Sequence, residues 1–478
     1  MAARHMMLIG CSILLGVLCL APVLHSAPMD RPARPPSTFH TEVPAHAVDI
    51  ILTRPTNNAV TVSVLAYADT DGYLAYGTEP GKLTQQAPAR TFPKGQPVEV
   101  VLTGLKADTQ YWYQLHTGGK VLAAGAFHTA RPAGSTFTFT ITADPHLDEH
   151  TEPMLYLQTL KNAQVDKPDF HIDLGDTFMT EKHKDRSSAA AQYLAQRYYF
   201  MQVGAPLFLT IGNHDGETAR EQDGTAGSLA VWSNMMRKRY FPCPVPDAFY
   251  TGNTTKHLLA GELQDYYAWT WGDALFIVLD PFWYTPRQRR DEDNWVRTLG
   301  AAQYQWLTRT LEESTAKYKF VFIHHLVGGL DKDARGGAEA ATLYEWGGKN
   351  ADGTDGFAVH RPGWAMPIHQ LLVKHHVTAV FHGHDHFFDK QELDGIIYQE
   401  VPQPGWAGRF DPQRVAEYGY KSGDILGSSG HLRVTVSGKQ ASVEYIRALL
   451  PDEESHAQKN RTTVSTYAIT PPVDRSVK

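Results

Sequence analysis

Cysteine is scarce in this chain, which has three cysteines among 478 residues. Cys11 and Cys19 lie close to the N-terminus, so the rest of the chain contains Cys243 alone. If the N-terminal segment is removed, a single cysteine excludes an intramolecular disulfide. Cys243 is distant in sequence from any histidine pair, and we expect it to be a buried or inert thiol without a catalytic role.

An excess of positive charge is also lacking. The chain has 44 Lys and Arg against 51 Asp and Glu, a formal net charge of -7, and both signs are interspersed. This pattern provides no basic stripe for a nucleic-acid backbone and no Lys/Arg block for an anionic membrane. We therefore predict no nucleic-acid-binding surface, and any phosphate-binding site should be local.

The composition is that of a globular protein, with 42% hydrophobic and 20% charged residues. At this length two domains are the natural expectation. Residues 6–24 form an apolar run after Arg4 that ends near the small residues Ser26 and Ala27, which predicts a signal peptide over 1–27 and a secreted or periplasmic protein. An uncleaved membrane anchor is the alternative, since about 19 apolar residues can just span a bilayer.

Residues 28–44 are rich in proline and are predicted to be a poorly ordered linker. From 45 to 130, short alternating runs separated by turns predict an all-β sandwich. The segment 102–113 resembles the turn of fibronectin type III domains, in which a tyrosine, here Tyr111 or Tyr113, hydrogen-bonds back to the loop.

After a short hinge at 131–135, strand-like runs alternate with amphipathic helical stretches over 136–450, which predicts a second domain of α/β architecture. Later runs at 396–401, 431–436 and 441–446 are expected to be strands, the last two forming a hairpin. Residues 451–478 are polar and are predicted to be a flexible tail.

Five short motifs rich in histidine and aspartate follow buried, strand-like runs in the second domain. They are Asp144-Pro145-His146, Gly175-Asp176, Gly212-Asn213-His214-Asp215, His324-His325 and Gly383-His384-Asp385-His386. Consecutive polar side chains directly after an apolar strand are costly unless something satisfies them. Because α/β sheets form their ligand crevice at the carboxyl ends of the strands, we expect these residues to converge on two metal ions.

The order of these motifs resembles the calcineurin-like metallophosphoesterase superfamily, including purple acid phosphatases that carry a β-sandwich ahead of the catalytic domain. The resemblance implies an α/β/β/α four-layer sandwich and a dinuclear metal centre. It implies that one metal is held by Asp144, His146 and His386, that the other is held by Asn213, His324 and His384, and that Asp176 bridges them. His325 remains an alternative to His324.

The implied chemistry is hydrolysis of phosphate esters. Two ions about 3.5–4 Å apart can clamp an in-line displacement at phosphorus, and coordinated water with a pKa near 7 supplies the attacking hydroxide. By resemblance His214 protonates the leaving alkoxide, and Asp215 is expected to orient it. Phe178 stands where purple acid phosphatases have a tyrosine ligand, so the metals, Fe, Zn or Mn, stay undecided.

Residues 328–364 follow a predicted ligand and are expected to form a substrate-facing loop. Asn213, His325, Arg335 and Arg361 are the candidate substrate-binding residues, although a surface salt bridge is the more frequent use of any single arginine. Trp346, Trp364 and Trp406 are candidates to line a pocket for a ring-bearing leaving group, with core packing as the alternative for each.

The sequence thus predicts an exported dinuclear-metal phosphoesterase that acts on small phosphate mono- or diesters. The alternative is a secreted or cell-surface binding protein that uses the β-sandwich and has no activity. Membrane association is expected only if the N-terminal apolar run is not cleaved.

Overall fold

The computed structural model describes Met1 and residues 37–286, 292–408 and 411–471. The predicted signal peptide, and with it the alternative membrane anchor, falls outside the described residues after Met1. From Ser37 onward the described residues belong to one compact unit. None of its helices combines the length and the apolar character that crossing a bilayer requires.

Alternating apolar residues form the strands of the N-terminal part. They are β1 (Val48–Thr53), β2 (Ala59–Ala66), β3 (Thr70–Gly77), β4 (Gln85–Gln86), β5 (Arg90–Phe92), β6 (Val98–Thr103), β7 (Gln110–Thr117) and β8 (Lys120–His128). One antiparallel sheet has the order β1-β2-β6, and the other has the order β4-β3-β7-β8, with β5 paired to β3. Val62, Leu74 and Phe127 contribute to one apolar core shared by both sheets. The Tyr111 hydroxyl accepts a hydrogen bond from the Lys106 N–H at 2.9 Å, as predicted, while the fibronectin type III assignment stays a prediction.

Strands β1 and β2 are buried on both faces. Ile50 and Leu52 pack into the N-terminal core, whereas Ile51, on the opposite face, packs into the core of the following domain. Arg197 of that domain is fully buried and donates to the Ser63 carbonyl at 2.8 Å. The N-terminal sheets are therefore packed against the second domain by both apolar contacts and buried hydrogen bonds.

The second domain contains the remaining strands and the helices. The strands are β9 (Phe137–Thr142), β10 (Phe170–Asp173), β11 (Leu207–Leu209), β12 (Thr251–Gly252), β13 (Lys256–His257), β14 (Gly261–Glu262), β15 (Tyr267–Trp271), β16 (Ala274–Val278), β17 (Tyr318–Phe322), β18 (Ala379–His382), β19 (Phe388–Leu393), β20 (Ile396–Glu400), β21 (Asp424–Leu426), β22 (Gly430–Val436), β23 (Ala441–Arg447) and β24 (Thr463–Ile469). The α-helices are α1 (Pro153–Val165), α2 (Arg186–Phe200), α3 (Leu229–Tyr240), α4 (Ala301–Glu313), α5 (Tyr344–Gly347), α6 (Phe357–His360), α7 (Ile368–Lys374) and α8 (Pro412–Glu417). Short 3-10 helices occur at Thr180–Lys182, Met201–Val203, Ala219–Glu221, Asn294–Val296 and Ala340–Thr342.

Two sheets form the centre of this domain. One has the order β11-β10-β9-β22-β23-β24, and the other has the order β12-β15-β16-β17-β18-β20-β19-β21. An aromatic core that includes Phe139, Phe170, Phe276 and Phe320 lies between them. Helices α4 and α7 cover the outer face of the second sheet, and α1 and α2 pack together beside the first. The layer order is the predicted α/β/β/α.

The parallel strands bring the motif-bearing loops to one edge of each sheet. Strands β9, β10 and β11 run parallel in the first sheet, and β16, β17, β18 and β20 run parallel in the second. The following helices begin at side-chain caps: Glu152 accepts from the Met154 N–H at α1, and Asp185 accepts from the Ser188 N–H at α2. These caps fix where each loop ends and its helix begins. The loops between strand and helix therefore lie at the carboxyl ends of the strands, where the site is formed.

Two predictions about the chain ends are wrong for the residues that the structure describes. The tail predicted to be flexible forms strand β24, which pairs antiparallel with β23 and satisfies backbone groups along that edge. The part of the predicted linker that the structure describes, residues 37–44, is not loose either, because the His40 N–H donates to the Leu147 carbonyl at 2.7 Å and Phe39 stacks on His183.

Candidate metal centre

Each predicted metal ligand lies just beyond the carboxyl end of a strand. Asp144 and His146 follow β9, Asp176 follows β10, Asn213 follows β11, His324 follows β17, and His384 and His386 follow β18. The first three loops leave one sheet and the last two leave the other. The site therefore lies where the ends of the two packed sheets meet.

Most of these ligands have unusual backbone conformations. Left-handed φ angles occur at Asp144 (58°), His146 (23°), Asp176 (55°), His384 (83°) and His386 (71°). Such a conformation costs a non-glycine residue about 1 kcal/mol or more and persists only where the surrounding structure enforces it. Their concentration at one site indicates that the fold holds these side chains in place.

The glycines of the motifs permit close approach of backbone to carboxylate. A Cβ atom on Gly212 would lie 2.2 Å from Asp176 Oδ1, and one on Gly383 would lie 2.5 Å from Asp144 Oδ2. Neither distance is tolerable for a carbon atom. Glycine is required at both positions because the loop of one ligand packs directly on the carboxylate of another.

Asp144, His146 and His386 form the first group of candidate ligands, whose ligand atoms lie within 4.8 Å of one another. The Asp144 Oδ1 atom is 3.6 Å from His146 Nε2 and 3.4 Å from His386 Nε2. Asp144 Oδ1 and His146 Nε2 are buried and have no hydrogen-bond partner. Buried polar atoms that converge without partners fit a cation that would bind all of them.

Asp176, His324 and His384 form the second group. The His324 Nε2 atom is 3.3 Å from Asp176 Oδ2 and 2.9 Å from Asn213 Oδ1. The opposite ring nitrogen of His324 lies 2.9 Å from the Leu174 carbonyl, and His384 Nε2 lies 2.6 Å from the Asp333 carbonyl. A carbonyl that accepts the proton of one ring nitrogen leaves the other nitrogen free to bind a metal.

Asp176 lies between the two groups. Its Oδ2 atom is 3.3 Å from His324 Nε2 and 3.6 Å from His146 Nε2, so one carboxylate oxygen approaches ligands of both groups. Its Oδ1 atom accepts the backbone N–H of His214 at 2.8 Å. This geometry is what a bridging carboxylate needs.

Electrostatics favours ionised carboxylates at this site. Burial alone would raise the pKa of Asp144 and Asp176, but neighbouring imidazoles, foremost His386 for Asp144 and His324 for Asp176, hold both pKa values well below the usual range. Burial likewise opposes the charged form of His324, yet Asp176 and Asp144 raise its pKa to about 9. Metal binding must therefore displace a proton from this imidazole.

The prediction that Asp215 orients His214 is wrong. The Asp215 carboxylate accepts the backbone N–H groups of Gly212 at 2.8 Å, Phe178 at 2.7 Å and Asp176 at 3.1 Å. It thus holds the two ligand loops together and does not face the imidazole.

Glu181 takes the position predicted for Asp215, because its Oε1 atom lies 2.6 Å from His214 Nδ1. Arg220 donates to the other Glu181 oxygen. Glu181 was missed because it lies 33 positions from His214. The sequence feature that could have identified Glu181 is its acidic side chain in the loop that begins with Gly175-Asp176.

The structure places the predicted substrate-binding residues His325 and Arg335 in different surroundings. His325 lies beside the second group, with its ring centroid 5.2 Å from that of His384, but His324 is the residue within that group. Arg335 is paired with Asp331 at 3.1 Å and Asp333 at 2.9 Å. His325 therefore lies at the site but is not placed as a metal ligand. Arg335 lies at the rim, and its charge is already balanced by two carboxylates.

The substrate-binding prediction for Arg361 is wrong. Its guanidinium donates to the Glu345 carboxylate and, at 2.6 and 2.8 Å, to the carbonyls of Trp295 and Arg297. Glu345 is fully buried. Arg361 therefore neutralises a buried carboxylate and satisfies backbone carbonyls of a neighbouring loop. These contacts use most of its N–H donors, so few remain for a substrate.

Of the three tryptophans predicted to line a pocket, two pack against other aromatic side chains and one lies near the site. Trp346 is buried and donates to the Tyr398 hydroxyl at 3.0 Å, and Trp364 stacks on Tyr304 with ring centroids 3.9 Å apart. Only Trp406 of the three lies near the site, 6.4 Å from the His386 ring. Phe178 is buried and stacked on Tyr193 at 4.1 Å, as befits a residue that cannot bind metal.

Arg414 is a second residue that sequence analysis missed. It lines a small cavity together with His386 and Trp406, and its guanidinium carbon lies 5.6 Å from the centre of the Trp406 ring. Within the described ranges no carboxylate lies at ion-pair distance from this guanidinium. Its charge is thus available to an anionic group that approaches from the side of His386.

A family model described as calcineurin-like phosphoesterase matches residues 137–388, which is more than half of the chain. The chain belongs to this family. The match begins at the strand before Asp144 and ends just after His386, so it contains every predicted metal ligand. No curated protein sequence matches the chain significantly.

Solved structures share the fold of this phosphoesterase. The structure of PhoD is 16% identical with a TM-score of 0.62 and covers 88% of this chain and 90% of its own. The purple acid phosphatase PPD1 from yellow lupin (Lupinus luteus) seeds is 15% identical with a TM-score of 0.57 and covers 89% of this chain and 74% of its own. At these identities the likeness concerns the fold alone.

Proposed function

We propose that the protein is an exported phosphoesterase that hydrolyses phosphate mono- or diesters with two bound metal ions. The observation that carries this proposal is the position of Asp176 Oδ2, 3.6 Å from His146 Nε2 and 3.3 Å from His324 Nε2. The apolar run at 6–24 supports export, and the two facing N-terminal sheets support a fibronectin type III-like domain.

Asp144, His146 and His386 would hold one metal, Asn213, His324 and His384 the other, and Asp176 both. When bound, the ions would supply positive charge that lowers the pKa of water and stabilises charge developing on the phosphoryl group. Imidazole and carboxylate ligands suit zinc, iron and manganese alike. Asp215 would keep the loops of Asp176 and Asn213 at a constant separation.

His214 is the proposed general acid. Its side chain is 24% exposed, so substrate can reach it from the crevice. Glu181 accepts a hydrogen bond from Nδ1–H and thereby directs Nε2 away from itself. A proton on Nε2 is then available to the leaving oxygen, and Glu181 stabilises the imidazolium before transfer.

Arg414 replaces Arg361 as the proposed substrate-binding arginine, because it lies beside His386 and, among the described residues, no carboxylate is within ion-pair distance of it. Asn213 and His325 at the site and Arg335 at its rim remain proposed substrate contacts. The cavity beside Arg414, about 40 Å³, accepts a few water molecules or one small polar group.

The test is turnover of p-nitrophenyl phosphate and bis-p-nitrophenyl phosphate by protein loaded separately with Zn, Mn and Fe. We expect hydrolysis of at least one ester with about two metal ions bound per chain. Stoichiometric metal binding without either activity would favour the alternative of a binding protein. Absence of metal binding would overturn the proposal itself.

Export has a separate test. Expression of the full chain followed by N-terminal sequencing of the exported protein should find a start near residue 28. A mature protein that retains residues 6–24 and stays with the membrane fraction would instead show the anchor.

A further inference from the structure

Residues 37–44, which we call the N-terminal strap, contact the loop that carries His146. The His40 N–H donates to the Leu147 carbonyl at 2.7 Å, and the Thr38 N–H donates to Glu149 Oε2 at 3.1 Å. Leu147 has a φ of 56°, so the strap binds the loop at its strained part. A segment that only linked the predicted signal peptide to the first domain would not need these contacts.

A second connection runs through side chains. The Phe39 ring stacks on the His183 ring with centroids 3.8 Å apart. His183 Nε2 lies 2.5 Å from Gln192 Oε1 on helix α2. Gln192 is fully buried, so the cost of any unsatisfied donor or acceptor there would be high.

Gln192 reaches both groups of metal ligands. Its Nε2 atom donates to the carbonyl of His146, which belongs to the first group, at 2.5 Å. It also donates to the carbonyl of Thr177, the neighbour of Asp176, at 3.0 Å. One buried amide therefore ties the backbone of the first group to the backbone of the bridging residue.

The two carbonyls decide which way this amide faces, and His183 Nε2 lies on the side of its oxygen. If the amide were rotated by 180°, its oxygen would face the carbonyl oxygens of His146 and Thr177, and its nitrogen would face His183. In this orientation both amide protons meet carbonyls, and the amide oxygen would accept a hydrogen bond from the tautomer of His183 that carries its proton on Nε2. Phe39 covers His183 and restricts its ring.

We propose that Phe39, His183 and Gln192 are positioning residues that set the separation of His146 from Asp176, so that within the N-terminal strap it is Phe39 that supports the metal site. This inference rests on the proposed metal centre. Groups that orient ligands without touching the metal commonly change affinity about 10–100-fold when they are removed.

The experiment measures equilibrium Zn²⁺ binding to the full chain by calorimetry, together with kcat as a function of Zn²⁺ concentration. Phe39→Ala should weaken one of the two Zn²⁺ sites about 10-fold, and excess Zn²⁺ should restore kcat. Phe39→Tyr keeps the stacked ring and should bind Zn²⁺ like the unchanged protein. Gln192→Leu should show a larger loss than Phe39→Ala.

Val43→Ala is the matched control, since Val43 packs on the cluster that contains Leu147 and Tyr156 but is not stacked on His183. Its Zn²⁺ affinity should not change. The inference is overturned if Phe39→Ala binds Zn²⁺ like the unchanged protein, or if Val43→Ala loses as much affinity. In either case the unchanged protein still binds Zn²⁺ and hydrolyses esters. If it does neither, the proposed function fails first.

Discussion

Single residues at this site have separable tasks even where they are adjacent in sequence. Asn213, His214 and Asp215 are consecutive, yet the first side chain contacts His324, the second contacts Glu181, and the third binds three backbone N–H groups. Substitutions should therefore affect metal content, acid catalysis and substrate binding separately. The following three predictions use this separation.

Asp176→Asn should remove most activity, because the substitution removes the negative charge and replaces one of the two oxygens that face the cations with an NH2 group. We expect loss of both metals at moderate metal concentration and a fall in kcat of at least about 100-fold. Metal analysis beside kinetics measures both effects. A variant that kept two metals and nearly full kcat would show that Asp176 does not bridge.

Glu181→Gln should slow the reaction without removing metal. The amide cannot stabilise the His214 imidazolium, so esters with poor leaving groups should slow about 10-fold and p-nitrophenyl esters should change much less. His214→Ala should show the same pattern more strongly. Asp215→Asn is the contrasting variant and should lose metal, because one of the two oxygens that accept from the ligand loops becomes an NH2 donor. Equal sensitivity of good and poor leaving groups to Glu181→Gln would refute the assignment.

Arg414→Ala should raise KM about 10-fold with a small effect on kcat, since a charged hydrogen bond to a bound anion contributes about 1.5–3 kcal/mol. Arg361→Ala should differ by reducing stability, because it leaves Glu345 buried without its partner. Steady-state kinetics and urea unfolding of the two variants distinguish these effects. Unchanged KM in Arg414→Ala would exclude the arginine from substrate binding.

At the scale of elements, the outer face of the first sheet is closed by charged contacts. Asp166 follows helix α1 and is within 2.7–2.9 Å of His431 and Arg433 on strand β22 and of Arg461 ahead of strand β24. Burial would raise the pKa of Asp166, but hydrogen bonds from His431 and Arg461 and the charge of Arg433 lower it to about 2. This one carboxylate joins a helix, a central strand and the C-terminal segment.

Asp166→Asn should therefore destabilise the protein in a pH-dependent way. A carboxyl group whose pKa is depressed on folding stabilises the native state above its unfolded pKa of about 3.9, and the contribution disappears as the pH falls towards 2. We expect a loss of about 2 kcal/mol at neutral pH that shrinks between pH 4 and pH 2. Urea unfolding at several pH values measures this change in the free energy of unfolding. A loss that did not depend on pH would show that Asp166 acts through packing and not through its charge.

Much of the element order was predictable from sequence, and the misses have physical reasons. The helices at 153, 186, 301 and 368 show apolar periodicity that depends only on local sequence. Helix α3 was missed because its buried face includes Asn234 and Arg237, which bind Glu217 in the interior. Strand β24 was missed because all of its side chains except that of Ile469 are exposed or only partly buried, and its order comes from backbone pairing with β23.

At the scale of the whole molecule, the N-terminal sheets are bound to the catalytic domain rather than tethered to it. Arg197 on helix α2 is fully buried and donates to carbonyls of Ser63 and Tyr240, and Arg131 forms two hydrogen bonds with Asp169 where a hinge was predicted. Since β1 and β2 pack into both cores, the two parts should unfold together.

Unfolding in urea should accordingly show a single transition by both circular dichroism and tryptophan fluorescence. Arg197→Met leaves several carbonyls buried without donors, and we expect a loss of about 3 kcal/mol or more and separation into two transitions. Arg186→Met on the same helix is the control, because Arg186 is exposed. Two transitions in the unchanged protein would show that the domains are independent.

The residue types of the candidate site and their place at strand ends could be predicted from sequence, because each ligand motif follows a local apolar run and the carboxyl ends of the strands in an α/β sheet converge. The tertiary structure alone decided the partners: Glu181 rather than Asp215 at His214, Glu345 at Arg361, and the N-terminal strap at the His146 loop. Strand formation depends on neighbours in sequence, whereas a side-chain hydrogen bond depends on two atoms meeting within about 3 Å across tens of residues. Only the packed sheets and helices define those distances.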